Sequence, residues 1–244
     1  MKRPRNAEPA VSIIACTKRP DCMNNLLLNY GRQNYKNKEL IVILNDPEIN
    51  PAAYRSAAKK YKNVRIYRMP NRSLGKCLNF GVKAAAYDYI AKFDDDDHYS
   101  ANYLADSMRA MQRTDADLVG KRAHYMYLQG SRLLLLRYCD KEHQFVRMVQ
   151  GATLLVKRHV FRQVAFPDQT RGECVKFCID SAAKGFKIYA CGRSGYMAVR
   201  KENMNQHTWR ISDKNLLHRG KVKVWKAANF KQAIRLSRLL EPDS

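Results

Sequence analysis

Four consecutive aspartates, Asp94 to Asp97, are the residues of this sequence with the clearest capacity for chemistry. They directly follow the apolar run YIAKF, and adjacent carboxylates repel one another unless a positive charge lies among them. Carboxylate oxygens are also the ligands that hard divalent cations prefer. The run therefore has two interpretations: a divalent-cation site at the end of a strand, or a solvated acidic turn.

Short apolar strands alternate with helices in the part of the chain that precedes these aspartates. Strands are predicted over residues 11–16, 39–44, 64–69 and 87–93. Helices are predicted between them, because Asn50 and Pro51 form a typical helix start and Ser73 precedes apolar residues at helical spacing. This alternation predicts a parallel sheet with right-handed crossovers.

Polar residues follow several of these strands. Thr17 comes after the first strand, Asp46 after the second and the four aspartates after the fourth. Open α/β sheets bind ligands outside the carboxyl ends of their strands. We therefore expect these side chains to share a ligand site, which favours the cation site over the solvated turn.

The pattern changes beyond a helix that is predicted from Ser100 to about Gln112. The segments DLVGKRAHYMYL and SRLLLLRY flank QG, which predicts an antiparallel hairpin. A strand over 151–156 and a helix over 173–185, ended by a glycine, complete the core. The sequence thus predicts an α/β fold with a mostly parallel central sheet, flanking helices and an added antiparallel hairpin.

The composition limits which binding partners and which cellular compartment are expected. The formal net charge of +23 would attract nucleic acid, acidic lipid or phosphorylated small molecules. No helix-turn-helix, zinc-finger or RNP signature is visible, so nucleic acid is not an expected partner. Seven cysteines without a disulfide-scaffold pattern, and no apolar run of signal or membrane-spanning length, predict a cytoplasmic protein. The basic, aromatic C-terminal segment could still contact the inner face of an anionic membrane.

Several segments, in this order, resemble one enzyme family. They are PAVSIIACTKRPDCMNNLLLNYGRQNYKNKELIVILND, NRSLGKCLNFG, YIAKFDDDD, GATLLVKRHVF, RGECVKFCIDSAAKGFKIYA and HTW. The sequence resembles inverting family-2 glycosyltransferases with the GT-A (Rossmann-like) fold. It is also similar to a bacterial subgroup that builds cell-surface, capsular or spore-envelope polysaccharides. We expect a catalytic domain over residues 1–210 and a basic, helical C-terminal extension over 211–244.

The resemblance implies a nucleotide-diphosphate sugar as donor and a hydroxyl of a glycan or lipid-linked acceptor. The positions that it places near the donor are Thr17, Arg19, Asp46, Asn71, Lys76, Asn79, Asp94 and Asp95. Among these, Asp46 matches the residue that recognises the base, here expected to be of the uridine or cytidine type. Mn²⁺ or Mg²⁺ would be bound by Asp94, Asp96 and His207. Such a cation stabilises a departing diphosphate as a Lewis acid.

The position of the general base departs from the family pattern. The family has Glu followed by Asp at the start of the helix, and here the matching pair is Glu173 and Cys174. A neutral thiol is a poor oxygen base, so three interpretations remain open. Glu173 takes over as base, the activity is reduced to weak transfer or to nucleotide-sugar binding, or position 174 carries a substitution. Separately, Glu173 could be a first-turn residue that only complements the helix dipole. A nucleotidyltransferase is a further alternative, but CTKRPD lacks the usual glycine-rich loop.

Overall fold

The computed structural model describes residues 8–202, 211–218 and 220–241, which form two β-sheets with flanking helices. The strands are β1 (Val11–Thr17), β2 (Lys38–Leu44), β3 (Val64–Arg68), β4 (Tyr89–Lys92), β5 (His98–Tyr99), β6 (Leu118–Gly120), β7 (His124–Leu128), β8 (Leu133–Arg137), β9 (Gln144–Phe145), β10 (Leu155–Lys157), β11 (Ile188–Ala190), β12 (Tyr196–Arg200) and β13 (Val222–Lys226). The α-helices are α1 (Met23–Gly31), α2 (Pro51–Ala58), α3 (Leu74–Ala84), α4 (Tyr103–Thr114), α5 (Glu173–Ala183), α6 (Asp213–Leu217) and α7 (Phe230–Leu239).

The central sheet has the strand order β3-β2-β1-β4-β10-β6-β11-β9. Its first four strands are mutually parallel, and β10 runs antiparallel to both of its neighbours. Ile13 and Ile14 on β1 are buried in two different core clusters, because successive strand residues point to opposite faces of the sheet. Apolar packing on both faces explains why β1 and β2 are almost continuously apolar, and the predicted parallel core is confirmed.

Local side-chain contacts fix where two of the crossover helices begin. The side chain of Asn50 accepts a hydrogen bond from the backbone N–H of Ala52, with Pro51 in the first turn of α2. The hydroxyl of Ser73 accepts one from the backbone N–H of Lys76 in α3. Both caps satisfy N–H groups that the first turn of a helix leaves without a partner. Both predicted helix starts are confirmed.

The second sheet has the strand order β13-β8-β7-β12-β5. Strands β7 and β8 pair antiparallel across the predicted hairpin, which is confirmed. Strand β5 follows the four aspartates directly and pairs with β12. This pairing places the second sheet beside the carboxyl end of β4.

Two local predictions need correction. Residues 151–156 are not one strand: Gly151–Thr153 form a 3₁₀ turn, and β10 begins only at Leu155. The hydroxyl of Thr153 explains the turn, since it donates to the carbonyl of Gln150 while accepting from the backbone N–H of Lys121. Side chain-to-backbone bonds of this kind compete with a strand ladder.

The segment 211–244, predicted to be a helical extension, is only partly helical in the residues that the structure describes. Between α6 and α7 it forms β13, which pairs antiparallel with β8 from Val222 opposite Arg137 to Lys226 opposite Leu133. The physical reason is the open edge of β8, whose backbone groups β13 satisfies. Throughout the described ranges, no helix combines the length and apolar character needed to cross a membrane.

Candidate active site

A cavity of about 530 Å³ lies at the carboxyl ends of the central parallel strands. Its walls come from the residues after β1 and β4, from the start of α5 and from the second sheet. It brings together eight of the residues singled out in the sequence: Thr17, Arg19, Asp94, Asp95, Asp96, Asp97, Glu173 and Cys174. Residues far apart along the chain thus meet at the edge of the sheet where ligands of α/β proteins bind.

Arg19 binds two of the four aspartates. Its Nη1 atom lies 2.7 Å from Oδ2 of Asp96, while Nε and Nη2 both contact the carboxylate of Asp95. The hydroxyl of Thr17 donates to Asp95 at 2.5 Å. Burial and the neighbouring Asp96 raise the pKa of Asp95, although Arg19 and Thr17 act in the opposite direction. The repulsion within the acidic run is therefore balanced in part by a cation from the loop after β1.

Lys92 supplies a second cation beside the run. Its side chain is 7% exposed, and its ammonium pairs with the carboxylate of Asp94. Burial alone would lower the pKa of Lys92, but Asp94, Cys174 and Glu173 raise it, and the net shift is upward. A charged ammonium thus lies between the aspartates and the start of α5.

Asp97 ties the acidic run to the second sheet. Its carboxylate accepts hydrogen bonds from the hydroxyl of Tyr196 at 2.5 Å and from the backbone N–H of Val199 at 3.0 Å. Burial, with the charges of Asp96 and Asp94, raises its pKa well above the usual range. These contacts give Asp97 a structural role, since they hold the end of the acidic run against β12.

Two asparagines on α1, which were not among the predicted site residues, hold the backbone of the acidic run. The amide of Asn25 donates to the carbonyls of Asp95 and Asp97, at 2.8 and 2.9 Å. One helical turn later, Asn29 donates to the carbonyl of Asp97 at 2.8 Å and accepts from the backbone N–H of Tyr99 at 3.2 Å. Their spacing of four residues, which puts both on one helix face, was the available signal.

The start of α5 places Glu173 and Cys174 in the cavity. Gly172 precedes the helix with a φ of +75°, a conformation that favours glycine. The thiol of Cys174 donates to Oε1 of Glu173 at 3.2 Å and packs against Gly151, where an added Cβ would lie 2.6 Å from that of Cys174. Burial raises the pKa of Cys174 well above its usual range, although Lys92 opposes this. The thiol is therefore protonated at neutral pH.

Four other predicted donor residues do not line the cavity. Asp46 follows β2 and accepts from the backbone N–H of Glu48 at 2.9 Å, and Asn71 is exposed with a φ of 58°. Lys76 pairs at 2.7 Å with Asp168. Asn79 bonds both backbone groups of Phe166, at 2.8 and 3.0 Å. Their proposed contacts with a donor stay predictions, as does that of His207, which lies outside the described residues.

Comparison of the sequence with models of protein families shows which family the motifs belong to. Residues 12–165 match the family described as "Glycosyl transferase family 2". The chain belongs to this family. Among curated protein sequences, a search found no match.

Solved structures share the fold of this family-2 chain. TarS 1-349 from S. aureus, in complex with UDP-GlcNAc, has a TM-score of 0.68 and 15% identity, over 85% of this chain and 63% of that one. The mannosyltransferase PcManGT from Pyrobaculum calidifontis, in complex with GDP-Man and Mn²⁺, has a TM-score of 0.61 and 14% identity, over 83% of this chain and 62% of that one. The chain thus spans less than two thirds of either neighbour. The likeness confirms the predicted GT-A fold.

The acidic run is chemically suited to a divalent cation. Among the described residues, no three His, Cys, Asp or Glu side chains surround one common cation position. Asp94 and Asp96 nevertheless both line the cavity. Mg²⁺ is commonly held by only one or two carboxylates together with phosphate oxygens of a substrate. The two residues therefore fit a cation that is shared with a bound diphosphate.

Proposed function

We propose that this chain transfers a sugar from a nucleotide-diphosphate sugar to the hydroxyl of an acceptor. One observation carries this proposal: the acidic run and the start of α5 line a single cavity at the carboxyl ends of the parallel strands. The family membership supports it. A cation-binding loop and a carboxylate able to accept a proton are the two functions that such a transfer requires of the protein.

The donor would lie along the loops after β1, β2 and β4. Asp46, at the end of β2, would accept hydrogen bonds from the edge of a pyrimidine base, so a uridine- or cytidine-type donor is proposed. The cation would be Mn²⁺ or Mg²⁺, held by Asp94 and Asp96. It would supply positive charge to the leaving diphosphate. Arg19 and Lys92 balance the charge of the same carboxylates.

The reaction would be a single displacement at the anomeric carbon. The acceptor oxygen attacks opposite the leaving diphosphate, through an oxocarbenium-like state, and one displacement inverts the configuration. The acceptor hydroxyl must lose its proton to a base in the cavity. Glu173 is the carboxylate at the start of α5, while the neighbouring Cys174 thiol keeps its own proton. We therefore assign the role of general base to Glu173.

A second candidate function is nucleotide-sugar binding with very slow transfer. The raised pKa of Cys174 favours it, because the position that matches the family base holds a protonated thiol. For either candidate, the proposed setting is the synthesis of surface or spore polysaccharide at the cytoplasmic side of a membrane. The acceptor would then be a glycan or a lipid-linked saccharide. The motif resemblance supports this setting.

Thermal unfolding with nucleotide diphosphates tests the proposal. UDP or CDP with Mn²⁺ should raise the melting temperature, because a ligand that binds only the native state stabilises it. Asp96→Ala should abolish the Mn²⁺-dependent part of this shift, whereas Asp180→Ala, on the exposed face of α5, should leave it unchanged. Assays of sugar transfer to water or to a saccharide then distinguish an active transferase from a protein that only binds nucleotide sugar. No shift with any nucleotide would contradict both candidates.

A further inference from the structure

One wall of the cavity carries two arginines and an aromatic ring that come from the second sheet and its connections. Arg122 precedes β7, Arg137 ends β8, and Tyr138 follows it. The guanidinium carbon of Arg122 lies 3.7 Å from the centroid of the Tyr138 ring, and that of Arg137 lies 5.1 Å from it. All three residues line the cavity. We refer to Arg122, Arg137 and Tyr138 as the arginine–tyrosine cluster.

The backbone holds the ring of this cluster in an unusual place. Tyr138 has a φ of 51°, a conformation that bulky side chains rarely adopt. Residues in such conformations cost free energy and concentrate at functional sites. Gly220, with a φ of +78°, packs against the ring, since a Cβ added there would lie 2.6 Å from it. Tyr138 is therefore a fixed surface on which the guanidinium of Arg122 stacks.

The cluster is a positive region of the cavity. Elsewhere in the same cavity Arg19 and Lys92 are paired with aspartates, whereas the guanidinium of Arg122 contacts the Tyr138 ring. Arg137 is only 2% exposed, and two like charges close together repel each other more strongly out of water. Burial and the charges of Arg137 and Arg122 lower the pKa of His124 to about 3. Two guanidinium groups at one ring thus favour an anion at this wall.

We propose that the arginine–tyrosine cluster binds an oxyanion of the acceptor, a phosphate or a carboxylate, close to the hydroxyl that receives the sugar. This inference rests on the proposed function and names the acceptor class of the same site. A guanidinium stacked on a ring keeps its in-plane N–H groups, which bind two oxygens of a phosphate or carboxylate at once. Glu173 lines the same cavity, so an acceptor held at the cluster would present its hydroxyl to the base.

The position of the cluster argues against the donor diphosphate as its ligand. The residues that would hold the diphosphate and its cation follow β1 and β4 of the central sheet. The cluster belongs instead to β8 and to the segment that enters β7, both in the second sheet. One charged wall of the cavity therefore belongs to the central sheet and the other to the second sheet. The wall from the second sheet, which carries the arginine–tyrosine cluster, is available to the acceptor.

The test compares Arg122→Gln with Arg235→Gln, an exposed arginine of α7 whose replacement removes the same charge. The probes are glycerol against glycerol 1-phosphate, and glucose against glucuronic acid, titrated by calorimetry with UDP and Mn²⁺ present. We expect the wild type to prefer the charged probe of at least one pair, and the pair that responds identifies the oxyanion. Arg122→Gln should weaken that binding roughly 10- to 100-fold, whereas Arg235→Gln should not. Arg122→Lys keeps the positive charge but loses the planar guanidinium that binds two oxygens at once, so its affinity for the charged probe should lie between those of the wild type and Arg122→Gln.

Three results would overturn the inference. The first is equal binding of the charged and neutral probes by the wild type. The second is unchanged binding of the charged probe by Arg122→Gln. The third is a loss of UDP affinity in Arg122→Gln that is as large as its loss of affinity for the charged probe. The last result would assign the cluster to the donor. If no nucleoside diphosphate binds the wild type, the proposed function fails, and titrations without nucleotide still test the cluster. Thermal unfolding of each variant shows whether it is folded.

Discussion

The ammonium of Lys92 and the carboxylate of Asp94 form an ion pair whose two partners differ in burial. The side chain of Lys92 is 7% exposed, whereas that of Asp94 is 38% exposed. Water can therefore hydrate the carboxylate of Asp94 much more fully than the ammonium of Lys92 if the partner is lost. Breaking a buried pair is costly mainly because a buried charge is left uncompensated.

This asymmetry predicts unequal effects of the two single substitutions. Asp94→Asn should lower the free energy of unfolding by roughly 1–3 kcal/mol, because it leaves a buried ammonium with a neutral partner. Lys92→Met should cost less, since it fills the same space with an apolar chain. Urea unfolding of both variants at neutral pH measures the difference. A larger loss for Lys92→Met would show that the ammonium is not the buried partner.

The asparagines of α1 give a second prediction. Asn29 is fully buried and bonds both the carbonyl of Asp97 and the backbone N–H of Tyr99. Asn29→Ala removes the side-chain partner of the Tyr99 N–H and leaves the carbonyl of Asp97 with Asn25 alone, so it should lower the free energy of unfolding by roughly 1–3 kcal/mol. Asn34→Ala is the matched control, because the Asn34 amide bonds Asn102 at an exposed surface. If both variants lower the free energy of unfolding by the same amount, the effect of Asn29→Ala does not come from lost support of the acidic run by α1.

A third prediction concerns pH. Burial, with the charges of Arg32 and Arg238, lowers the pKa of His98 from 6.5 to about 4. Between these values the unfolded chain binds a proton that the folded chain does not, so the free energy of unfolding falls as the pH is lowered from 6.5 to 4. Nδ1 of His98 lies 2.9 Å from Nη1 of Arg32, which can only donate. The folded protein therefore contains His98 with a neutral imidazole.

His98→Gln should make this pH dependence shallower without removing it, because His124, with a pKa of about 3, contributes in the same direction. Chemical denaturation of the wild type and the variant at several pH values between 4 and 7 measures both slopes. Parallel slopes would show that His98 titrates normally in the folded protein.

Much of the fold was predictable because its signals are local. The apolar runs of β1, β2 and β4, and the caps Asn50 and Ser73, depend on neighbouring residues. Strand β13 was not predictable in the same way, since its partner β8 lies about ninety residues earlier in the chain. Its pairing depends on an open sheet edge that exists only after the second sheet has formed.

The candidate site was predictable at its acidic run and at the start of α5, where residue type and spacing are themselves the signal. The spacing of Asn25 and Asn29 puts both on one helix face, but the partners of the residues that support the run were not predictable. The partners of Asn25 lie 70 and 72 residues away along the chain, and the pairing of Arg19 with Asp95 spans 76 residues. Such contacts depend on packing between elements, which periodicity does not report. The arginine–tyrosine cluster was missed for the same reason.

The last prediction concerns the base at the start of α5. Glu173→Gln should lower turnover by about 10²- to 10⁴-fold, the usual contribution of a general base. Donor affinity should change little, because the residues proposed to hold the nucleotide and cation lie on other loops. Cys174→Asp should raise turnover above the wild type, since it places a carboxylate at the position that matches the family base. The nearby ammonium of Lys92 and the N-terminus of α5 both favour a negative charge there.

Cys174→Asn is the matched control for this substitution, since it has the shape of Asp but cannot act as a base. Measurements of transfer and of donor hydrolysis over a range of pH, with donor affinity determined separately, compare the four proteins. If Cys174→Asp is no faster than Cys174→Asn while Glu173→Gln is inactive, Glu173 is the only base and position 174 serves packing against Gly151. If neither Glu173→Gln nor Cys174→Asp changes the rate, the base lies elsewhere and our assignment is wrong. Absence of transfer by all four proteins, with donor binding intact, would favour the binding protein instead.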